Sequence, residues 1–71
     1  MNFSDRLKSL RKQHKVSQFK LAQASGMSER TFRKYESGEI EPTISVLILI
    51  CNYFDVSADY LLGLSDNPKR N

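Results

Sequence analysis

Four side chains able to grip the edges of nucleic-acid bases stand close together in the stretch 29–34: Glu29, Arg30, Arg33 and Lys34. A guanidinium can hold guanine O6 and N7 through two parallel hydrogen bonds, so Arg30 and Arg33 are the main candidates for reading bases. Lys34 can do the same more loosely. Glu29 can accept from cytosine N4, and because a carboxylate repels phosphate, its presence points to reading of sequence rather than to adhesion. The competing explanation for all four is a solvated, charged helix face.

Such side chains read bases only if a rigid element carries them into a groove. Ser28 can cap a helix through its hydroxyl, and Phe32 and Tyr35 fall three apart on one face of it, which leaves the charged residues outside. Upstream, Ser17 caps an earlier helix opened by Gln18, from which Leu21 and Ala22 point inward. The small side chain of Ala22 lets the second helix cross closely. Gly26 supplies the tight turn, because glycine takes a positive φ without a steric cost. The stretch Gln18–Gly38 therefore reads as a helix-turn-helix whose second helix fits the major groove of DNA.

The remaining elements support this pair. Phe3, Leu7 and Leu10 recur at helical spacing, so a first helix runs from residue 3 to about 13, capped by Asn2. Lys8, Arg11, Lys12 and Lys15 make its outer side basic, and His14–Val16 is a short connection with Val16 as an apolar plug. Gly38 ends the third helix in the left-handed region, and Thr43 caps a fourth after the loop Glu39–Pro42. Residues 44–54 are rich in Ile and Val, but the chain offers them no partner strand, so they read as helix. Ser57 caps a fifth helix that Gly63 stops. Residues 1–65 form the domain and 66–71 a polar, flexible tail.

The fourth helix is apolar all round. Ile44, Leu47, Ile50, Cys51 and Phe54 suffice to face the core, which leaves Val46, Leu49 and Tyr53 on another side as a self-association surface. The alternative is that Leu49 or Tyr53 folds beneath the C-terminal tail.

Composition limits the function classes. Seventy-one residues make one small domain. Residues 1–40 hold nine Lys or Arg against four Asp or Glu, and residues 41–71 two against four, so the excess of positive charge sits in the half that carries the reading helix. A single cysteine suits a reducing compartment, no signal peptide is visible, and the longest apolar run, Val46–Cys51, is too short to span a bilayer; a cytoplasmic protein with no membrane partner is expected. With one His, one Cys and no Gly-rich phosphate loop, no enzyme active site, metal site or cofactor is expected. Cys51 reads as a small buried hydrophobe, a redox-sensing thiol being the alternative.

Four motifs in order, RLKSLRK, SQFKLAQASGMS, TFRKYESGEIEP and FDVSADYLLGL, resemble the phage-repressor and Cro type of helix-turn-helix, the Xre-like family, over about residues 3–64. The resemblance implies an all-α, compact five-helix, lambda-repressor-like domain with the helix-turn-helix at its second and third helices. It also implies a transcriptional regulator that binds a double-stranded DNA operator, often as a homodimer. On this reading Ser28, Glu29, Arg30 and Lys34 occupy positions that meet bases. Gln18 matches a glutamine that bonds phosphate, with Ser17, Lys20 and Ser37 as further phosphate candidates, although Lys20 can equally be a solvated lysine. Arg11 and Glu36 match an ion pair joining the first and third helices. Phe19 and Lys20 depart from the family pattern, where carboxylates are common. The alternative function is a protein-interaction module, for example an antitoxin of this fold whose main partner is another protein.

Overall fold

Five polar side chains decide where the helices begin. The computed structural model describes residues 1–70 and places them in α1 Phe3–Gln13, α2 Gln18–Ala24, α3 Glu29–Ser37, α4 Ile44–Phe54 and α5 Ala58–Leu61, with no strand among the described residues. Each helix is preceded by a residue in extended conformation whose side-chain oxygen accepts a backbone N–H of the first turn: Asn2 from Asp5, Ser17 from Lys20, Ser28 from Thr31, Thr43 from Val46 and Ser57 from Tyr60. Each cap satisfies a donor that the helix itself cannot, and is worth about 1 kcal/mol.

The core lies where these helices converge. Leu7 of α1, Leu21 of α2, Phe32 of α3, Ile50 of α4 and Leu61 of α5 are fully buried, one from every helix. Ala22 is buried where α2 packs on α3, as close crossing of a helix-turn-helix requires. The expected helix at 44–54 is present in full.

The turns are closed by left-handed residues. Gly26 has φ +69°, and just beyond it the Met27 N–H reaches back to the Ala22 carbonyl at 2.9 Å. Gly38 has φ +83° and ends α3, after which the Glu39 N–H bonds the Lys34 carbonyl at 3.0 Å. Lys15 (φ 55°) and Asp55 (φ 56°) do the same after α1 and α4 without being glycine. This conformation costs an L residue about 1–2 kcal/mol, so the packing of Val16 and Val56 immediately after them must hold it.

The orientation of α4 differs from the expectation. Ile44, assigned to the core, is 77% exposed, whereas Val46, assigned to the outer stripe, is half-buried against the core. The inward side of α4 is centred on Ile50, Cys51 and Phe54, which places Val46, four residues before Ile50, on the core side and turns Ile44 and Ile48 outward. Residues 66–70, expected as a polar tail, make contacts with the domain: the Ser57 N–H donates to the Pro68 carbonyl at 3.0 Å, and Arg70 Nη2 donates to Asn52 Oδ1 at 2.8 Å. Asn71 lies outside the described residues. Arg6, one position from Leu7, is buried; its guanidinium stacks 3.9 Å above the Tyr60 ring and reaches Asp66 at 3.4 Å. The docked segment does not cover Leu49 or Tyr53, which remain 45% and 39% exposed.

Nothing lies within 4 Å of where a Cβ on Gly26 would sit, so a substitution there meets backbone strain and no collision. Gly26→Val is expected to lower unfolding free energy by about 1–2 kcal/mol, and Gly26→Asn by less, because Asn tolerates the left-handed region. Chemical denaturation of the two variants checks this, and equal stability of Gly26→Val and the wild type would remove the turn assignment.

Candidate nucleic-acid interface

A buried carboxylate holds α3 in place. Glu36, 5% exposed near the end of α3, accepts from Arg11 Nε at 2.6 Å on one oxygen and from Arg11 Nη2 at 3.1 Å on the other. The same second oxygen accepts from Gln18 Nε2 at 3.0 Å, and Arg11 Nη1 donates to the Val16 carbonyl at 3.1 Å. The ion pair inferred between Arg11 and Glu36 is therefore present as a two-pronged contact. It joins α1 to α3, while Gln18 and Val16 bring in the start of α2 and the loop before it.

With its inner side fixed by Phe32, Tyr35 and Glu36, α3 presents the charged residues outward. Arg30 and Arg33 are exposed and Lys34 is half-buried. Together with Lys8, Gln18, Glu36, Ser37 and Glu39 they line an open cleft of ≈ 600 Å³ between α1, the start of α2 and α3. Glu29 Oε1 lies 3.8 Å from Arg33 Nη2, one turn apart on the same face, a loose and exposed pair that contributes little to stability. Ser28 uses its hydroxyl as a cap, accepting from the Thr31 N–H and donating to Thr31 Oγ1 at 3.0 Å, which leaves one lone pair for a base.

The expected phosphate contacts are less uniform. Ser17, Gln18 and Lys20 cluster at the start of α2, with Lys20 exposed and without a carboxylate partner among the described residues. Ser37 sits apart, at the far end of α3, and its hydroxyl is taken by the Lys34 carbonyl at 3.1 Å and by Glu39 Oε1 at 3.3 Å. The Glu39 carboxylate beside it disfavours a phosphate there, so Ser37 is the weakest of the four. Lys8 was not singled out, yet α1 carries it into the cleft beside Gln18. Its signal in the sequence was only a basic side of α1, shared by several lysines. Phe19 is 59% exposed and borders a recess of ≈ 270 Å³ with Ala22, Gln23, Met27, Ser28 and Glu29, next to the start of the reading helix.

Among the described residues, other chemistry has no comparable arrangement. Cys51 is buried in α4, and burial pushes its thiol up, with Arg70 opposing more weakly, so the thiolate that redox chemistry needs is disfavoured. His14 caps the end of α1 with its ring 5.0 Å from that of Phe54. Among the described residues no group of three or more His, Cys, Asp or Glu is placed to hold a metal, and no helix is long and apolar enough to cross a membrane.

A family model described as helix-turn-helix matches residues 7–61. YqaE, an HTH-type transcriptional regulator of Bacillus subtilis, is 43% identical over 67 residues, which are 94% of this chain and 58% of that protein. YobD of the same organism, also an HTH-type transcriptional regulator, is 36% identical over 66 residues, 93% of this chain and 59% of that one. The chain thus spans under two thirds of the length of these relatives. Among solved structures, the P22 c2 repressor in complex with a synthetic operator superposes with a TM-score of 0.82 and 29% identity, covering 87% of this chain and 94% of that one.

Removing one partner of a buried ion pair leaves the other desolvated and unpaired, which costs about 3–5 kcal/mol, whereas replacing both by apolar residues is often nearly neutral. Glu36→Leu is expected to lose most of the stability of a domain this small. Arg11→Met/Glu36→Leu should recover most of it, as read by thermal unfolding. Equal stability of the single and double variants would mean that the pair is not coupled.

Proposed function

The chain belongs to the helix-turn-helix family of the phage-repressor and Cro type, and from that premise we propose that it is a sequence-specific transcriptional regulator, a repressor that lays α3 in the major groove of a double-stranded DNA operator. The observation that carries this reading is the cleft in which α1, α2 and α3 bring Lys8, Gln18, Arg30, Arg33 and Lys34 to one surface. Arg30 and Arg33, with Ser28, Glu29 and Lys34, read base edges. Lys8, Ser17, Gln18 and Lys20 hold the flanking phosphates, which sets register without reading sequence.

The operator is a palindrome bound by a homodimer. Ile40, Ile44, Ile48, Leu49 and Tyr53 are exposed apolar residues on α4 and the loop before it, and such a concentration on a small domain supports self-association. Val46, half-buried, takes at most a marginal part. The loop carrying Ile40 joins the end of α3 to α4, so a two-fold axis through this surface relates the two reading helices. Half-sites in a palindrome require their centres to lie about one DNA turn, roughly 34 Å, apart.

Selection of duplexes from a random-sequence pool, followed by gel shift, tests the reading. One enriched palindromic sequence is expected. Arg30→Ala and Arg33→Ala should keep the fold and each lose about 1–3 kcal/mol of discrimination at one base pair. Lys8→Ala and Lys20→Ala should weaken all sequences alike and flatten the salt dependence by about one unit each. Full operator preference in both arginine variants would place base reading elsewhere. Failure to enrich any sequence would favour a protein-binding module instead.

Leu49→Glu puts a charge on the proposed interface while leaving the core untouched. It is expected to give a folded monomer with much weaker operator binding, read by sedimentation and gel shift. A wild-type protein that sediments as a monomer at high micromolar concentration would dismiss the dimer.

A further inference from the structure

We infer that Glu36, beyond pairing with Arg11, is a positioning residue for DNA: its carboxylate fixes the side-chain amide of Gln18 so that the second amide N–H is presented to a backbone phosphate in the cleft. This rests on the DNA-binding reading and adds to it a role for a residue that is 5% exposed.

The argument starts from what a carboxylate can do. Held against the Arg11 guanidinium, with Nε at 2.6 Å and Nη2 at 3.1 Å, the Glu36 carboxylate accepts on both of its oxygens. The atom of Gln18 that faces it at 3.0 Å must therefore be the amide nitrogen and not the oxygen. Glutamine amides are otherwise free to turn either end toward a ligand, and here one end is excluded. An amide nitrogen carries two N–H groups. One is spent on Glu36 and the other diverges from it.

Gln18 is half-buried and lines the same cleft as Lys8, Arg30, Arg33 and Lys34, so the free N–H sits among cations. The group that such a cluster of donors fits is a phosphate oxyanion. Without Glu36 the amide would rotate, would present its oxygen to the phosphate part of the time, and would lose side-chain entropy on binding. Loss of the arrangement gives up a hydrogen bond to a charged group and adds the cost of ordering the side chain, so it should weaken binding about ten-fold.

The test uses the full chain and the duplex that the wild-type protein enriches from a random pool, with a neutral methylphosphonate placed at one linkage at a time. At one linkage the wild type is expected to lose about ten-fold in affinity. Gln18→Ala should lose about as much on the unmodified duplex and nothing further at that linkage. Arg11→Met/Glu36→Leu, with its fold verified by thermal unfolding, should behave like Gln18→Ala, and adding Gln18→Ala to it should change little. Glu36→Gln, which retains Arg11 but can turn either end of its own amide toward Gln18, should bind the unmodified duplex more weakly and show a reduced penalty at that linkage, and it serves if the double variant does not fold. A merely structural Glu36 would leave the penalty at that linkage intact in these variants, or make their effects additive with Gln18→Ala, and either result overturns the inference. Failure to enrich any duplex overturns the DNA reading itself, and this role with it.

Discussion

A carboxylate removed from water inside a 71-residue domain is tolerable only if each oxygen finds donors, and Glu36 finds three: two from Arg11 and one from Gln18. Those donors come from different elements, so satisfying one charge fixes the relative placement of α1, α2 and α3. Apolar packing alone would leave α3 some freedom to slide or roll, since Phe32 and Tyr35 are non-directional contacts. A two-pronged ion pair is directional. The outer face of α3 can present Arg30, Arg33 and Lys34 in a fixed array because its inner face is pinned by that geometry.

The other half of the domain solves a different problem. A chain this short cannot cover every apolar face it makes, and α4 is where the shortage appears: Ile50, Cys51 and Phe54 are buried while Ile44 and Ile48 are left outside. The docked segment 66–70 reaches only the Asn52 side of α4. Division of labour follows: α1–α3 carry the charged surface and α4 the exposed apolar one.

Much of this was legible in the sequence because its signals are local. Asn2, Ser17, Ser28, Thr43 and Ser57 announce the helix starts by the chemistry of a hydroxyl or amide three residues before a free N–H. Gly26 and Gly38 announce turns by their freedom from a Cβ. Lys15 and Asp55 adopt the same backbone region without that signature, so their turns were legible only from position, not from residue type. The rotation of α4 was misjudged because almost every residue of it is apolar, and a helix without a polar side carries no record of which way it faces. Arg6 escaped notice because its burial depends on Tyr60 and Asp66, more than fifty residues away. In the candidate site, the arginines of α3 were plain from type and spacing, whereas the place of Lys8 in the cleft and the bond from Gln18 to Glu36 needed three helices in space.

The distribution of unpaired charge adds a last step. Among the described residues, Arg6 and Arg70 find carboxylates in Asp66 and Asp55, and Arg11 finds Glu36. Lys8, Lys12, Lys15, Lys20, Arg30, Lys34 and Lys69 find none, and all but Lys69 fall in the first forty residues, where the net charge is +5 from nine cations and four anions. Like charges gathered on one face of so small a body repel one another, which costs stability in the free protein. Polyanion phosphates would relieve that repulsion and release their own counterions as they do so. The same surface charge that weakens the isolated fold would thus favour binding to such a polyanion. Lys20 states the point in one residue: a cation in the first turn of α2, unfavourable against the helix dipole by about 0.3–1 kcal/mol, is favourable once a phosphate lies beside it.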